Sequence, residues 1–521
     1  MYIYILYNVI LIMLMIYFYK KTKNGIHMLQ LESYRNERYF KWIKNNKNKV
    51  FQKKEILFLF PVILYFINKL YGIIFLILID LFLIFTYKKE KQKKPLVVTN
   101  RVKRLYTTYF ILTIIQFVFL NILDAKGYVI LFNLLITILA YFVVILINII
   151  NLPIEKNIQR GFYNKAKNKL KNMPNLKVIG ITGSFGKTST KYILSTILMQ
   201  KYDVLMTPES YNTTLGVVRT INEKMKSTNQ IFVCEMGAKN IGDIKEICDL
   251  VKPTYGLVTS IGKQHLETFK NIENVKKTKM ELIDALPEDG IGFLNYDDEN
   301  IVSCKTNKNI LKYGLSNKEN EIWAENIEID ERGSCFTICF KDGKKIDVRT
   351  KLLGEHNILN ILGASLVAYR LGLSDNEIKL GIKLLKSIPH RLEMKNTTNG
   401  NIIIDDAYNS NVKGAEMALD VLGLFKDRRK ILITPGIVDL GESAYEINKN
   451  LGKQATSSAD FIILVGEKAA KPIYDGIRET TYDLEKVYIA KDLDDALNKM
   501  SSLLIEKSVV LFENDLPDNY L

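Results

Sequence analysis

Apolar positions crowd the first 150 residues in long runs and afterwards break into short ones. The runs cover residues 2–19, 56–87, 105–122 and 128–150. About 20 apolar residues in a helix cross a bilayer, so each run is long enough for a membrane span. The segment 56–87 is overlong for one span and is interrupted at Asn68–Lys69, which suits a hairpin of two short ones. The run 2–19 is followed by Lys20 and Lys21 instead of being preceded by charge, and no small-residue cleavage site is evident, so it reads as a retained span rather than a signal peptide.

Beyond Pro153 the pattern changes. Residues 156–177 form a Lys/Asn-rich linker. Short apolar runs then alternate with helical patterns: Lys177–Ile181, Ile231–Cys234 and Tyr255–Thr259, later Ile402–Ile404, Ile431–Thr434, Phe461–Val465 and Val509–Phe512. Strand–helix alternation of this kind predicts mostly parallel α/β sheet. The predicted layout is a transmembrane region (1–150), a basic linker (151–176), a central domain (177–388) and a C-terminal α/β domain (389–521).

Charge changes this picture by fixing topology. Of the formal net charge of +16, residues 20–54 supply eleven Lys/Arg against Glu32 and Glu37, and residues 88–104 supply eight against Glu90. These two loops account for the whole excess, so it marks cytoplasmic loops and lipid-headgroup contact rather than a nucleic-acid surface. With 56–87 as a hairpin, both basic loops and everything after residue 150 lie on one side. That gives five spans with the carboxyl-terminal part in the cytoplasm. The cysteines (Cys234, Cys248, Cys304, Cys335, Cys339) contain no CxxC pair and are odd in number, which argues against a zinc ribbon or a disulfide framework. Cys335 and Cys339 lie in an alternating run and read as strand packing.

The strongest chemical signal is KVIGITGSFGKTSTK, starting at Lys177. A strand enters a turn holding Gly180, Gly183 and Gly186, and Lys187 and Thr188 open a helix. Such a turn aims backbone N–H groups and the positive end of a helix at phosphate oxygens. Gly183, Ser184, Phe185, Gly186, Lys187, Thr188 and Ser189 form the cradle, with Lys187 as a point charge for the outer phosphates and Thr188 as a hydroxyl for magnesium. The loop is one variant away from the usual pattern, since the first Gly position is occupied by Ile181. A second strand delivers Glu235 at its carboxyl end, where ligands sit in open α/β sheets and where a carboxylate suits magnesium. His265 follows a third strand in SIGKQHLE.

TGSFGKTST, SYNTTLG, EMGAKNIGDI, TSIGKQHLETF, TKMEL, GEHNILN, PHRLEM and DDAYNSN occur in one order. That order resembles the Mur ligases, from about residue 175 to about 425 and more loosely to the end. Within the family the motifs are most similar to those of members that add D-alanyl-D-alanine to a muramoyl tripeptide. The resemblance implies a P-loop-type central ATPase domain and a Rossmann-like C-terminal domain. It implies ATP and Mg2+, with Lys187 and Thr188 at the phosphates, Glu235 on a first magnesium and His265 on a second. Lys279 of TKMEL corresponds to the lysine that is carbamylated in this family. Asn360, with Asn357 beside it, corresponds to an adenine contact. Arg391 corresponds to an arginine reaching the phosphates from the last domain, and Asp406, Tyr408 and Asn409 to its nucleotide-facing loop. Asn212 and Thr213 match a loop facing the carboxylate substrate.

The implied reaction is ATP-dependent amide-bond formation through an acyl phosphate, on a UDP- or lipid-linked cell-envelope precursor, with an amino acid or dipeptide as acceptor. Two features depart from the family. Residues 1–150 carry membrane runs where members have a UDP-sugar domain. The end of the chain reads VVLFENDLPDNYL, placing Glu513, Asp515 and Asp518 where a Lys-Gly-Ser type motif is usual. The expected location is the cell membrane, multi-pass, with cytoplasmic catalytic domains. The competing readings are a polyglutamate- or cyanophycin-type ligase, and a transporter regulated by a nucleotide-binding domain, for which Lys69 and Asp80 inside apolar runs speak.

Overall fold

The computed structural model describes residues 2–87, 95–122, 134–262, 266–407, 411–438, 440 and 443–514. The chain divides into two compact units, Met1–Gly161 and Phe162–Leu521.

The first unit is helical, with helices Tyr2–Leu31, Asn36–Asn45, Leu59–Ile67, Lys69–Thr86, Asn100–Ile122 and the first part of Ala140–Lys171. The run 56–87 does break into two helices. Asn68 caps the second, accepting from the amides of Leu70 (3.1 Å) and Tyr71 (3.3 Å), as Asn does at an N-cap. A Cβ on Gly72 would lie 2.4 Å from the Tyr65 Cα, so only glycine lets the two helices approach this closely. Lys69 is therefore exposed at the turn, while Asp80 is buried with neither carboxylate oxygen hydrogen-bonded. Among the described residues, Lys69–Thr86 and Ala140–Lys171 are long and apolar enough to cross a membrane. The expected run 128–150 lies partly outside the described residues. Polar pairs tie the helices together: Lys21 Nζ meets Glu55 at 2.6 Å with both side chains buried, and Arg104 holds Glu155 through two hydrogen bonds of 2.6 and 3.0 Å.

The linker expected at 151–176 is mostly helix, continuous with the preceding run as far as Lys171 and passing through Pro153. Its Lys/Asn-rich composition hides Tyr163, Ala166, Leu170 and Met173, spaced at three and four residues. These pack into the core of the second unit beside Val217 and Ile221. Helical periodicity outweighs polar composition here.

The second unit holds two sheets. Strands β1 (Lys177–Thr182), β2 (Val204–Met206), β3 (Ile231–Glu235), β4 (Tyr255–Val258), β5 (Ile291–Asn295), β6 (Ile310–Tyr313), β7 (Ile322–Asp330), β8 (Gly333–Phe340) and β9 (Lys345–Thr350) form the first. Its order is β2-β3-β1-β4-β5-β6-β7-β8-β9, parallel through β7 and antiparallel over β7-β8-β9. Strands β10 (Glu393–Asn396), β11 (Ile402–Asp406), β12 (Arg429–Thr434), β13 (Phe461–Val465), β14 (Val487–Ala490) and β15 (Ser508–Glu513) form the second, in the order β10-β11-β15-β12-β13-β14. Only β10 runs antiparallel to its neighbour there. All seven strands expected from the apolar runs are present.

Both faces are covered over the central parallel strands, which explains their unbroken apolar runs, whereas β9 at the sheet edge alternates buried and exposed residues. In β1, Ile179 and Ile181 enter one core and Val178 the other. In β12, Leu432 faces one core while Ile431 and Ile433 face the opposite one. Cys335 and Cys339 lie on β8, and all five cysteines are free thiols.

Candidate functional site

The carboxyl ends of β1, β3 and β4 converge on the loop 183–186. Gly183 has φ +154° and a Cβ there would lie 2.1 Å from Thr259 Oγ1; Gly186 has φ +78° and ends the turn at the start of the helix Lys187–Leu198. The segment after β4 braces this loop. The Ser184 amide donates to Ser260 O (2.8 Å), the Phe185 amide to Ser260 Oγ (2.7 Å), and Thr259 Oγ1 to Phe185 O. The TSIG stretch therefore shapes the cradle from behind, a role its sequence does not disclose.

Lys187 Nζ folds back over the loop, donating to Gly183 O (2.7 Å) and Ser184 O (3.1 Å). Thr188 Oγ1 donates to Glu235 Oε1 at 3.1 Å, so the structure brings these two side chains together. Asn212 Nδ2 donates to the same oxygen at 3.1 Å, so its side chain bonds this carboxylate. Thr213 instead caps the helix Thr214–Lys224 by accepting from the Gly216 amide. Asn360 Oδ1 accepts from Thr190 Oγ1 (3.0 Å) beside Gly186, and Asn357 Nδ2 donates to Leu353 O (2.8 Å). His265, Tyr408 and Asn409 lie outside the described residues.

Lys191 was not anticipated. It is fully buried, meets Glu235 Oε2 at 3.0 Å and donates to Glu209 O. Its signal was available: it stands four residues after Lys187, on the same helical face. Burial opposes charge on Glu235, yet Lys191, Lys187 and the Asn212 amide together hold its carboxyl below the usual range. Desolvation drives Lys279, buried on the helix Ile272–Asp284, well below the usual lysine range, and Lys187 adds repulsion.

Arg391 sits in the crossing between the two sheets, flanked by His390 (φ 58°) and Leu392 (φ 49°). Left-handed backbone at two non-glycine residues in three marks a bend that its surroundings must enforce. The charge of Arg391 acts on both Lys187 and Lys191. Asp406 accepts from the Leu392 amide at 3.0 Å and is registered beside Glu513 across β11 and β15. Burial raises the Asp406 carboxyl, which shares a hydrogen bond with Glu513. Glu513 is 1% exposed. It is the last residue of β15, while Asp515 and Asp518 lie outside the described residues. His390, Glu393 and Asp405 also gather their ligand atoms, but Lys395 Nζ already meets Asp405 at 2.9 Å and Glu393 at 3.0 Å, which makes this an ion-pair cluster.

The arrangement suits phosphate oxygens: Lys187, Lys191 and Arg391 act around one buried carboxylate at a helix start. Burial lowers Lys187 to about 8, opposed by Glu235 and reinforced by Arg391. Its cation is present below that value and is lost above it. The kcat/KM for ATP, which reports the free enzyme, is therefore expected to fall as pH rises through about 8. Bound phosphates favour the charged ammonium, so the fall in kcat should come at higher pH. Rate profiles from neutral to alkaline pH at limiting and saturating ATP test this; a flat kcat/KM profile would contradict it.

Two family profiles match: the Mur ligase middle domain over residues 181–368 and the Mur ligase, glutamate ligase domain over residues 390–513. The chain is 29% identical over 297 residues to the UDP-N-acetylmuramoyl-tripeptide–D-alanyl-D-alanine ligase of Escherichia coli, covering 56% of this chain and 65% of that protein. Among solved structures it is similar to MurF from Acinetobacter baumannii (TM-score 0.62, 25% identity, 68% of this chain and 77% of that one). It is also similar to MurF ligase from Thermotoga maritima in complex with ADP (TM-score 0.61, 26% identity, 68% and 80%).

Proposed function

The chain belongs to the Mur ligase family through its middle and C-terminal domains, and on that premise we propose that it is an ATP-dependent ligase joining D-alanyl-D-alanine, or a similar amine, to a muramoyl-peptide carboxylate. The observation that carries this reading is the Thr188–Glu235 pair beneath Lys187 at the P-loop. The relatives named for D-alanyl-D-alanine addition favour a muramoyl peptide over a polyglutamate or cyanophycin polymer. A regulatory domain for a transporter would not require this set of charged groups.

In the proposed reaction a carboxylate oxygen of the donor attacks the γ-phosphorus, and the bond to ADP breaks, leaving an acyl phosphate. The acceptor nitrogen then attacks the acyl carbon, its C–O bond to phosphate breaks, and the nitrogen gives up a proton. Lys187 and Arg391 hold the transferring phosphoryl group and neutralise its developing charge. The bend at His390 and Leu392 supports a movement that brings Arg391 in when substrates bind. Magnesium, held by Thr188 and Glu235, would add charge neutralisation, with Lys279 interacting electrostatically with Lys187 and His265 proposed as a contact for a second ion. Lys191 then acts as a positioning residue, keeping Glu235 ionised before the metal arrives. A lysine driven toward its neutral amine, as Lys279 is, is the form that adds carbon dioxide and loses a proton to become a carbamate.

The helical unit supports attachment to a membrane. Ile5, Val9, Ile12 and Ile16 are exposed at helical spacing on the first helix, and Leu70, Ile74, Leu78 and Phe85 on the hairpin. Outward apolar faces of this extent are covered by lipid or by another protein. Anchoring would raise the effective concentration of a lipid-linked donor without any new contact. Phosphate release by the purified full chain, with ATP, magnesium and D-alanyl-D-alanine, tests the whole reading. Release must depend on both donor and amine, and a lipid-linked muramoyl peptide should be preferred to the soluble UDP form. Efficient use of the soluble form would defeat the lipid-donor part alone, and release indifferent to the amine would defeat the ligase.

A further inference from the structure

A cavity of about 220 Å³ lies in the helical unit, lined by Lys20, Lys23, Asn24, His27, Tyr87 and Leu96. Lys20, Lys23, Asn24 and His27 recur at three- and four-residue spacing, so they share one face of the helix Tyr2–Leu31. Two contacts fix the other walls. Lys20 Nζ donates to Ile84 O at 2.7 Å, joining the first helix to the end of Lys69–Thr86 just before Tyr87. The Gln30 amide exchanges two hydrogen bonds with Val97 (2.8 and 3.0 Å), seating the strap that carries Leu96.

The place of the cavity is as informative as its lining. Residues 2–19 rise roughly 27 Å as a helix, close to the ~30 Å hydrocarbon thickness of a bilayer. Lys20 begins where that apolar length ends, and its bond to Ile84 shows that the apolar helix Lys69–Thr86 ends at the same level. In a bilayer crossed by these helices the cavity would open at headgroup depth, with an aromatic residue, Tyr87, where such residues gather at membrane surfaces. Among the described residues its lining contains two lysines and no acid. The Lys20 ammonium is partly offset by the carbonyl it caps, and Lys23 is exposed.

We propose that this cavity binds the phosphate of a lipid headgroup, a reading that rests on membrane attachment of the helical unit. Phosphate is recognised here by ammonium donors. The volume is below the ~300–1,000 Å³ usual for sites enclosing a small molecule, so it takes a phosphate or diphosphate group and leaves the remainder outside. Phe85 (82% exposed), Val97 and Val98 (each 59%) form an apolar rim in sequence next to the lining. That rim favours a phosphate carried on a hydrocarbon chain over a free or nucleotide-borne one. A ligand held there would be kept on the surface from which the ligase draws its donor.

The experiment uses the full chain in neutral maltoside micelles, titrated calorimetrically with dioctanoyl phosphatidic acid, inorganic pyrophosphate and dioctanoylglycerol. Phosphatidic acid should bind at least tenfold more tightly than pyrophosphate, and dioctanoylglycerol should not bind measurably. Lys23→Gln should weaken phosphatidic acid binding at least fivefold with an unchanged melting temperature. Lys20→Gln/Lys23→Gln should abolish it, although loss of the Lys20–Ile84 contact can loosen the helices, so the single variant decides. Equal affinity for pyrophosphate would overturn the lipid source, and binding indifferent to Lys23→Gln would overturn the site. Carbonate extraction of membranes tests the attachment separately, and ATP-dependent phosphate release tests the ligase, so each failure is distinguishable.

Discussion

Lys187→Ala is expected to lower turnover more than ~100-fold while leaving the melting temperature nearly unchanged, because a fixed cation on developing phosphate charge contributes at that scale. Among the described residues, Lys187 Nζ bonds the carbonyls of its own loop alone. Those oxygens can turn to water when the side chain is removed. The helix behind it is held by Ile193, Leu194, Ile197 and Leu198 in the core, which the substitution does not touch. The loss should appear mainly in kcat, since magnesium and Arg391 still favour ATP in the ground state. Phosphate release with circular dichroism melting checks both halves. A variant keeping more than about a tenth of normal turnover would remove the P-loop assignment.

The same residue shows what the sequence could and could not disclose. Lys187, Thr188 and Glu235 were legible because a glycine turn after a strand, and a carboxylate at a strand end, are local patterns with a direct physical meaning. Lys191 was equally local but looked like an ordinary helix lysine until the structure showed it buried against Glu235. Thr259 and Ser260 could not be read at all, because bracing the P-loop depends on two strands that are neighbours in the sheet and about 75 residues apart in the chain. The burial of Glu513 was hidden because nothing local shows that it ends a central strand beside Asp406. Composition likewise hid the helix that runs through most of the linker. A few apolar residues at helical spacing were enough to pull a lysine-rich stretch into the core.

Lys279→Ala is expected to be nearly inactive, yet no less stable than the parent protein near neutral pH. The folded protein depresses this lysine well below its ordinary value, so the native state binds fewer protons here than the unfolded chain. For such a group stability rises with pH between the folded and unfolded pKa values, and below both the buried charge is a net cost. Alanine removes that cost along with some packing by the side-chain stem, and the two oppose each other. A lysine kept only for stability would show the reverse, a lower melting temperature with activity retained. If the neutral amine is carbamylated, three further results follow. Parent activity should fall in carbon dioxide-depleted buffer and return with bicarbonate. Lys279→Ala should ignore bicarbonate. Formate or acetate should restore part of its activity by placing a carboxylate where the carbamate would stand. Full parent activity without carbon dioxide, together with no rescue of the variant, would leave Lys279 as a buried amine whose role is electrostatic, set by its repulsion with Lys187.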